Sequence, residues 1–119
     1  MPSTSPYVEF LKEQFSPLGE ITSRSMFGGY ALYCDEIVFA LVAGNALYLK
    51  ADDENRVRFA ERRLKAFKPF PDRDEVMSYY EAPPEIFEDT DAMKDWCAAS
   101  VEAGKRGAEK KRSKKPKSR

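Results

Sequence analysis

The chain has 119 residues, of which 42% are hydrophobic and 13% aromatic, and this length and composition suit one folded domain. It contains no histidine, which excludes Ser-His-Asp and Cys-His catalysis and histidine-ligated zinc. The two cysteines, Cys34 and Cys97, do not form a CxxC pair and are predicted to be buried thiols. We therefore expect no metal and no cofactor.

The N-terminal sequence MPSTSPYVEF lacks a basic stretch followed by an apolar run, so no signal peptide is predicted. The longest apolar run, Ile37–Ala43, is too short to cross a bilayer. These features predict a cytoplasmic protein with no membrane partner.

The formal net charge of zero hides an uneven distribution. Residues 104–119, here called the basic segment, hold nine of the 20 Lys/Arg and one of the 20 Asp/Glu, a net charge of +8 that leaves −8 on residues 1–103. The basic segment has no aromatic residue and one apolar residue, Ala108. We therefore predict one domain over residues 1–103 and a disordered basic tail over 104–119.

The first predicted element is a short helix. Ser5 is a favourable N-cap and Pro6 suits the first helical position. Apolar residues then recur at helical spacing, and they form one stripe: Val8, Leu11, Phe15 and Leu18.

From Thr22 to Ala51 the pattern changes to strands, after a break or bend at Gly28-Gly29. Asp35-Glu36 and Gly44-Asn45 are candidate two-residue turns that separate three strands. Glu36 is a poor residue for the positive φ that a type I′ turn requires, whereas Gly44 suits a type II′ turn.

Uninterrupted alternation predicts which side chains share a face of these strands. One predicted face carries Tyr30, Leu32, Cys34, Ile37, Phe39, Leu41, Ala46, Tyr48 and Lys50. The other carries Ala31, Tyr33, Val38, Ala40, Val42, Leu47 and Leu49. Both faces are apolar, so the central strand is predicted to be covered on both sides, by helices or by another chain.

The rest of the chain predicts a helix, a strand and a final helix. Asp52-Asp53 is a candidate N-cap for the second helix, whose predicted inner residues are Val57, Ala60 and Leu64. Prolines break the next stretch, and Val76 to Tyr80 is predicted to be a strand. The final helix is predicted to begin at Asp89 or Thr90 and to end at Gly104 as a C-cap, with these residues on its inner face: Met93, Trp96, Cys97 and Val101.

The predicted order is α-β-β-β-α-β-(β)-α. Strands joined by tight turns are antiparallel, so the predicted class is α+β, with an antiparallel sheet packed against helices.

Several short stretches, in order, resemble the N-terminal domain of the TfoX/Sxy family. They are 24–33 (RSMFGGYALY), 39–41 (FAL), 47–50 (LYLK), 77–81 (MSYYE) and a final helix that contains Trp96. The resemblance covers roughly 14–103 and implies a fold similar to secretion chaperones, with about five antiparallel strands. It also implies a bacterial regulator of natural competence and transcription, although the chain ends in a lysine-rich segment where those regulators carry a second, helical domain. It supplies no catalytic residue.

Arg24 and the following MFGG stretch have two interpretations. In the first interpretation they form a partner-binding surface together with Phe39 and Tyr48. The candidate residues of that surface are Arg24, Met26, Phe27, Gly28, Gly29, Phe39 and Tyr48. Alternatively, the glycines permit a bulge and the apolar residues fill the core, which is the interpretation we favour.

The other candidate groups favour structural interpretations. The carboxylates Asp72, Asp74, Glu75 and Glu81 have no spacing that fixes them on one face, so they predict a solvated loop rather than a magnesium site. Tyr79 and Tyr80 point to opposite faces of a strand, so at most one can join an aromatic platform.

The basic segment is the clearest functional candidate, because its side chains can neutralise phosphates without reading sequence. The candidate nucleic-acid-binding residues are Lys105, Arg106, Lys110, Lys111, Arg112, Lys114, Lys115, Lys117 and Arg119. The alternative is a solubilising segment, or one that folds back on the acidic residues 1–103, here called the body.

The hypothesis from sequence is a non-enzymatic binding and regulatory module. It contacts a protein partner, or a second copy, through an apolar sheet face, and nonspecific nucleic acid through the basic segment. Two alternatives stay open: a small-molecule-binding protein or enzyme that uses Arg24 and loop carboxylates, and a chaperone-like partner of one dedicated protein.

Overall fold

The computed structural model describes residues 6–26, 29–44, 46–67 and 78–114. The helices are α1 (Pro6–Gln14), α2 (Arg56–Glu61) and α3 (Thr90–Lys114), with short 3₁₀ turns at Ser16–Leu18 and Pro84–Phe87. The strands are β1 (Ile21–Met26), β2 (Gly29–Cys34), β3 (Ile37–Ala43), β4 (Ala46–Lys50) and β5 (Tyr79–Glu81).

The five strands form one antiparallel sheet in the order β1-β2-β3-β4-β5. The α+β class and the strand count are thus confirmed. The predicted order was wrong in one respect, because four strands precede α2 and one follows it. The additional strand is β1, whose sequence ITSRSM is mostly polar because it lies at the edge of the sheet.

Cys34 pairs with Ile37 and Ala43 with Ala46, so two residues connect the strands at both predicted turns, although Asn45 of the second lies outside the described residues. Asp35 and Glu36 have φ values of 49° and 73°, the positive pair that a type I′ turn requires despite the unfavourable glutamate. Gly44 has φ 57°, which suits glycine, and it connects β3 to β4.

A β-bulge in β3 changes the predicted faces. Leu32 pairs with Ala40 but Tyr33 pairs with Val38, so Phe39 is an extra residue. The predicted alternation is therefore wrong beyond Phe39. The residues that share the helix-covered face with Phe39 are Ala40, Val42, Leu47 and Leu49, while Leu41, Tyr48 and Lys50 lie on the other side.

The helices cover one face of the sheet and build the main core there. The predicted α1 stripe is confirmed, since Val8, Leu11 and Phe15 are fully buried. In α2 the inner residue is Phe59 rather than the predicted Val57, which is 56% exposed. Because α2 has only six residues, one large side chain anchors it.

The final helix begins as predicted, where the Asp89 carboxylate accepts a hydrogen bond of 2.9 Å from the backbone N–H of Asp91. It does not end at Gly104. The helix continues to Lys114, so the predicted C-cap is wrong, as is the predicted disorder of residues 104–114. Gly104 instead lies where α3 crosses β3, and a Cβ atom there would come closer than 3.0 Å to the Val38 carbonyl oxygen. Residues 115–119 lie outside the described residues.

Candidate interaction surfaces

The side of the sheet away from the helices carries three tyrosines, Tyr33, Tyr48 and Tyr79, and is here called the tyrosine face. Its small buried cluster is Ala31, Leu41 and Tyr79, packed by half-buried Tyr33, Val38, Tyr48 and Phe67. This face has its own apolar packing, separate from the core beneath the helices.

The tyrosine face combines aromatic rings with cations. The Lys50 ammonium lies 5.0 Å from the centre of the Tyr79 ring, and the Arg24 guanidinium lies 5.4 Å from that of Tyr33. Burial raises the pKa of Tyr79 to about 12, so its hydroxyl stays protonated at neutral pH. Such a surface can pack against a partner and attract its carboxylates.

Arg24 is exposed on β1 and lines an open cleft of about 570 Å³. The other lining residues are polar except for part of one ring: Glu20, Thr22, Ser23, Tyr33 and Glu36. Arg24 is therefore accessible, as a partner-binding residue must be. The sequence alone could not show this, because an arginine in a strand can face either way.

The residues of the predicted MFGG stretch have different outcomes. Gly29 has a structural reason, since a Cβ atom there would come closer than 3.0 Å to the Val42 carbonyl oxygen of β3. The Met26 side chain, Phe27 and Gly28 lie outside what the structure describes. Gly29 pairs in regular register with Met26, so its role in the structure is this close approach to β3 and not the predicted bulge.

Phe39 is not a partner-binding residue, and that prediction was wrong. It is fully buried, and its ring packs edge-on against Phe15 at 5.6 Å between centres. It lies under the helices with Leu32 and Cys34, and the bulge moves Tyr48, predicted to share its face, to the other side of the sheet. Tyr48, predicted with it, is half-buried on the tyrosine face, where its ring centre lies 4.9 Å from that of Phe67.

Tyr79 and Tyr80 lie on opposite faces of the sheet, as predicted. Tyr79 belongs to the tyrosine face, whereas Tyr80 stacks on Phe59 beneath the helices at 5.2 Å between ring centres. Of these two tyrosines, only Tyr79 therefore belongs to the tyrosine face, where it is buried.

The first two cations of the basic segment contact the body. Arg106 forms two hydrogen bonds with the Asp52 carboxylate, at 2.6 Å and 2.9 Å, and a longer pair with Glu54 at 3.5 Å. Lys105 pairs with Glu102 at 3.3 Å within α3. For these two residues, the contacts agree with the alternative in which the segment folds back on the acidic body.

Asp52, which the sequence indicated as a candidate helix N-cap, is also the partner of Arg106. Its hydrogen bond to Arg106 lowers its pKa to about 2. The same carboxylate accepts a bond of 3.0 Å from the backbone N–H of Glu54, inside the turn before α2. The predicted N-cap at Asp52-Asp53 is wrong, because α2 begins at Arg56 and its N-cap is Asn55. No local signal connects Asp52 to Arg106, 54 positions away.

The side chains of the remaining predicted cations lie outside what the structure describes. Lys110, Lys111, Arg112 and Lys114 belong to the backbone of α3, and their side chains are not described. Lys115, Lys117 and Arg119 lie outside the described residues.

The sequence pattern that defines the TfoX N-terminal domain matches residues 13–104. The chain belongs to this family. The match ends where the basic segment begins, and the resemblance predicted from the short motifs is confirmed.

Two relatives support the assignment to the TfoX N-terminal domain. DNA transformation protein TfoX1 of Aliivibrio fischeri (strain ATCC 700601 / ES114) is 37% identical over 62 residues, which cover 49% of this chain and 30% of the relative. Protein Sxy of Escherichia coli (strain K12) is 43% identical over 44 residues, which cover 37% of this chain and 21% of the relative. The chain thus matches less than a third of the length of either relative.

The described part of this TfoX N-terminal domain shows few groups suited to chemistry. Cys34 and Cys97 are free and buried, as predicted, and burial raises the pKa of Cys97 to about 12. No cluster of metal-ligating side chains occurs among residues 6–26, 29–44, 46–67 and 78–114. Of the predicted acidic set, Glu81 accepts a hydrogen bond from the Lys65 backbone N–H, and Asp72, Asp74 and Glu75 lie outside those residues.

In the same described ranges, no helix of the TfoX N-terminal domain is both long and apolar enough to span a bilayer.

Proposed function

We propose that this chain is a non-enzymatic regulatory module that acts in competence regulation, contacts a protein partner through the tyrosine face and binds nucleic acid through the basic segment. Membership of the TfoX N-terminal domain family and the name of the relative TfoX1, a DNA transformation protein, support the biological setting. The physical case for nucleic-acid binding comes from α3.

The observation that carries the proposal is the continuation of α3 into the basic segment. Arg106 is fixed to Asp52 and Gly104 lies against β3, so the helix leaves the body in a defined direction. Seven further Lys and Arg follow from Lys110 to Arg119. A helix advances about 1.5 Å per residue, so Lys114 lies roughly 15 Å along the helix from Gly104.

This charge distribution suits an electrostatic anchor. The body has a net charge of −8 and would be repelled by phosphates, whereas the basic segment has a net charge of +8. Each phosphate contact with duplex DNA contributes about −0.9 to the slope of log K against log salt concentration. Seven contacts would give a slope of about −6, with little sequence preference.

The proposed protein contact uses other side chains, those of the tyrosine face. Arg24 and Tyr48 both lie on the tyrosine face, and Lys50 adds a second cation there. These cations favour a partner that carries carboxylates beside apolar groups. Gly104, Gly107 and Ala108 of the basic segment lie beside Tyr33, Val38 and Lys50 at one end of this face, so the variants that test nucleic-acid binding begin further along, at Lys110.

The experiment measures binding of the full chain to labelled duplex DNA and to single-stranded RNA at two salt concentrations. One variant replaces Lys110, Lys111, Arg112 and Lys114 with glutamine. A matched control replaces four exposed cations of the body with glutamine: Arg56, Arg63, Lys65 and Lys94. Both variants lose the same charge, so they differ only in where it is lost.

We expect the segment variant to reduce the magnitude of the duplex salt slope by about 3 to 4 and the control to leave it nearly unchanged. Equal effects of the two variants would show that net charge, not the segment, governs binding. A full chain that binds neither nucleic acid at low salt would overturn the anchor.

A further inference from the structure

The two edges of the sheet differ in how they are covered. At the β5 edge, residues 65–67 continue the pairing: the backbone N–H of Phe67 donates to Tyr79 and that of Glu81 donates to Lys65, at 2.8 Å and 2.9 Å. At the opposite edge, β1 pairs with β2 and with no other described strand. An uncovered strand offers its outer backbone groups for pairing with another chain.

The outer groups of β1 can be identified from the ladder. Glu20, just before β1, accepts a hydrogen bond of 2.9 Å from the Asp35 N–H. Bonded positions alternate in an antiparallel pair, so Thr22 and Arg24 direct their backbone groups toward β2. The N–H and C=O groups of the intervening residues therefore point outward: Ile21, Ser23 and Ser25.

Glu20 and Arg24 provide opposite charges along this edge. Both line the cleft beside Thr22, on the side of the sheet that carries the tyrosine face. They are four residues apart in an extended chain, a separation of about 13 Å, which prevents them from pairing with each other. Within the described residues, neither is in an ion pair, and Arg24 contacts the Tyr33 ring.

We propose that two copies of this chain associate through β1, antiparallel, about a two-fold axis at Thr22. In this register Ile21 of each copy exchanges backbone hydrogen bonds with Ser23 of the other. Glu20 of each copy then lies directly opposite Arg24 of the other, where side chains on facing strands interact. The dimer carries this charge pair twice.

Charge complementarity selects this register over its neighbours. A two-fold axis at Ser23 places Arg24 opposite Thr22, with no charge pair. An axis at Arg24 places two arginines opposite each other, which is unfavourable. The axis at Thr22 pairs both charges, and the dimer has one continuous sheet of ten strands, twice the five of a single chain.

The test uses the charge-reversal variants Glu20→Arg and Arg24→Glu in the full chain, with dissociation constants from sedimentation equilibrium up to about 1 mM protein. Each variant alone places like charges opposite each other twice, so its self-association weakens by roughly tenfold or more. An equimolar mixture of the two variants pairs every charge with an opposite one. The mixture should therefore form a heterodimer about as stable as the wild-type dimer.

Two controls separate this interface from general effects. Lys94→Glu changes charge equally at an exposed position on α3 and should leave the dissociation constant unchanged. Ser23→Pro removes an outward N–H without touching the β2 ladder, and should abolish self-association while circular dichroism stays the same. A monomeric wild type at the highest concentration, or folded single variants whose mixture does not associate, would overturn the proposal.

Discussion

The two halves of α3 are held to the body in different ways. From Thr90 to Ala103 the helix buries an apolar face against the sheet. Met93 is 1% exposed to solvent, Trp96 is 8% exposed and Cys97 is fully buried. After Ala103 the main described contacts with the rest of the chain are Gly104 against β3 and the ion pair of Arg106 with Asp52. One continuous helix therefore serves first as part of the core and then as an extension anchored at two points.

The difference shows how a highly charged helix can be held in place. An isolated sequence with this density of like charge has little tendency to fold. Here the preceding turns are already helical because of their packing, so the segment extends an existing helix and needs no new nucleus. The anchoring contacts then decide where the positive charge lies relative to the acidic body.

The largest loss of stability is expected from a substitution in the first half of α3. Met93→Ala removes a fully buried side chain and leaves a cavity, which should lower the free energy of unfolding by about 2 to 4 kcal/mol. The neighbouring exposed Lys94→Ala should change it by less than about 0.5 kcal/mol. Urea denaturation followed by circular dichroism measures both. A small loss for Met93→Ala would mean that the first half of α3 is not part of the core.

The contrast between the halves was only partly predictable from sequence. The inner residues Met93, Trp96 and Cys97 follow from helical spacing, as do the α1 stripe and the antiparallel class from the turns. The role of Gly104 does not, because a glycine near the end of an apolar stripe is equally typical of a C-cap and of a close helix-strand crossing.

Two other features had no usable signal. In Ile37–Ala43 every residue is apolar, so alternation cannot locate the bulge at Phe39, and one inserted residue exchanged the faces that followed it. That shift separated Tyr48 from Phe39 and placed Tyr48 on the same face as Arg24. Pairing across the sheet and between distant residues, as in Asp52 and Arg106, depends on the assembled fold.

A smaller effect is expected at the crossing point. Gly104→Ala places a methyl group against the Val38 carbonyl oxygen and should destabilise the protein by roughly 1 to 3 kcal/mol. Gly107→Ala is the matched control in the same helix, since its Cβ would lie 3.7 Å from the Lys50 side chain. It should stabilise by up to about 1 kcal/mol because alanine favours helices. Thermal unfolding distinguishes them, and the same sign for both would remove the crossing as the reason for Gly104.

The smallest effect is expected at the ion pair. Asp52→Asn keeps an oxygen that can accept the turn hydrogen bonds but removes the charge that Arg106 binds. Both side chains are partly exposed, so solvent screening limits the expected loss at pH 7 to about 1 kcal/mol. The measurement is the free energy of unfolding of both proteins across the acid range.

The pH dependence identifies the ion pair as the cause. The pKa of Asp52 is lowered from 3.8 to about 2 in the folded protein, so the folded state favours the ionised carboxylate. The stabilisation is complete above pH 3.8 and is lost as the pH falls through about 2. The difference between wild type and Asp52→Asn should therefore disappear between these values. A difference that persisted at pH 2 would assign the loss to the turn before α2, and the second half of α3 would then have one anchor, Gly104.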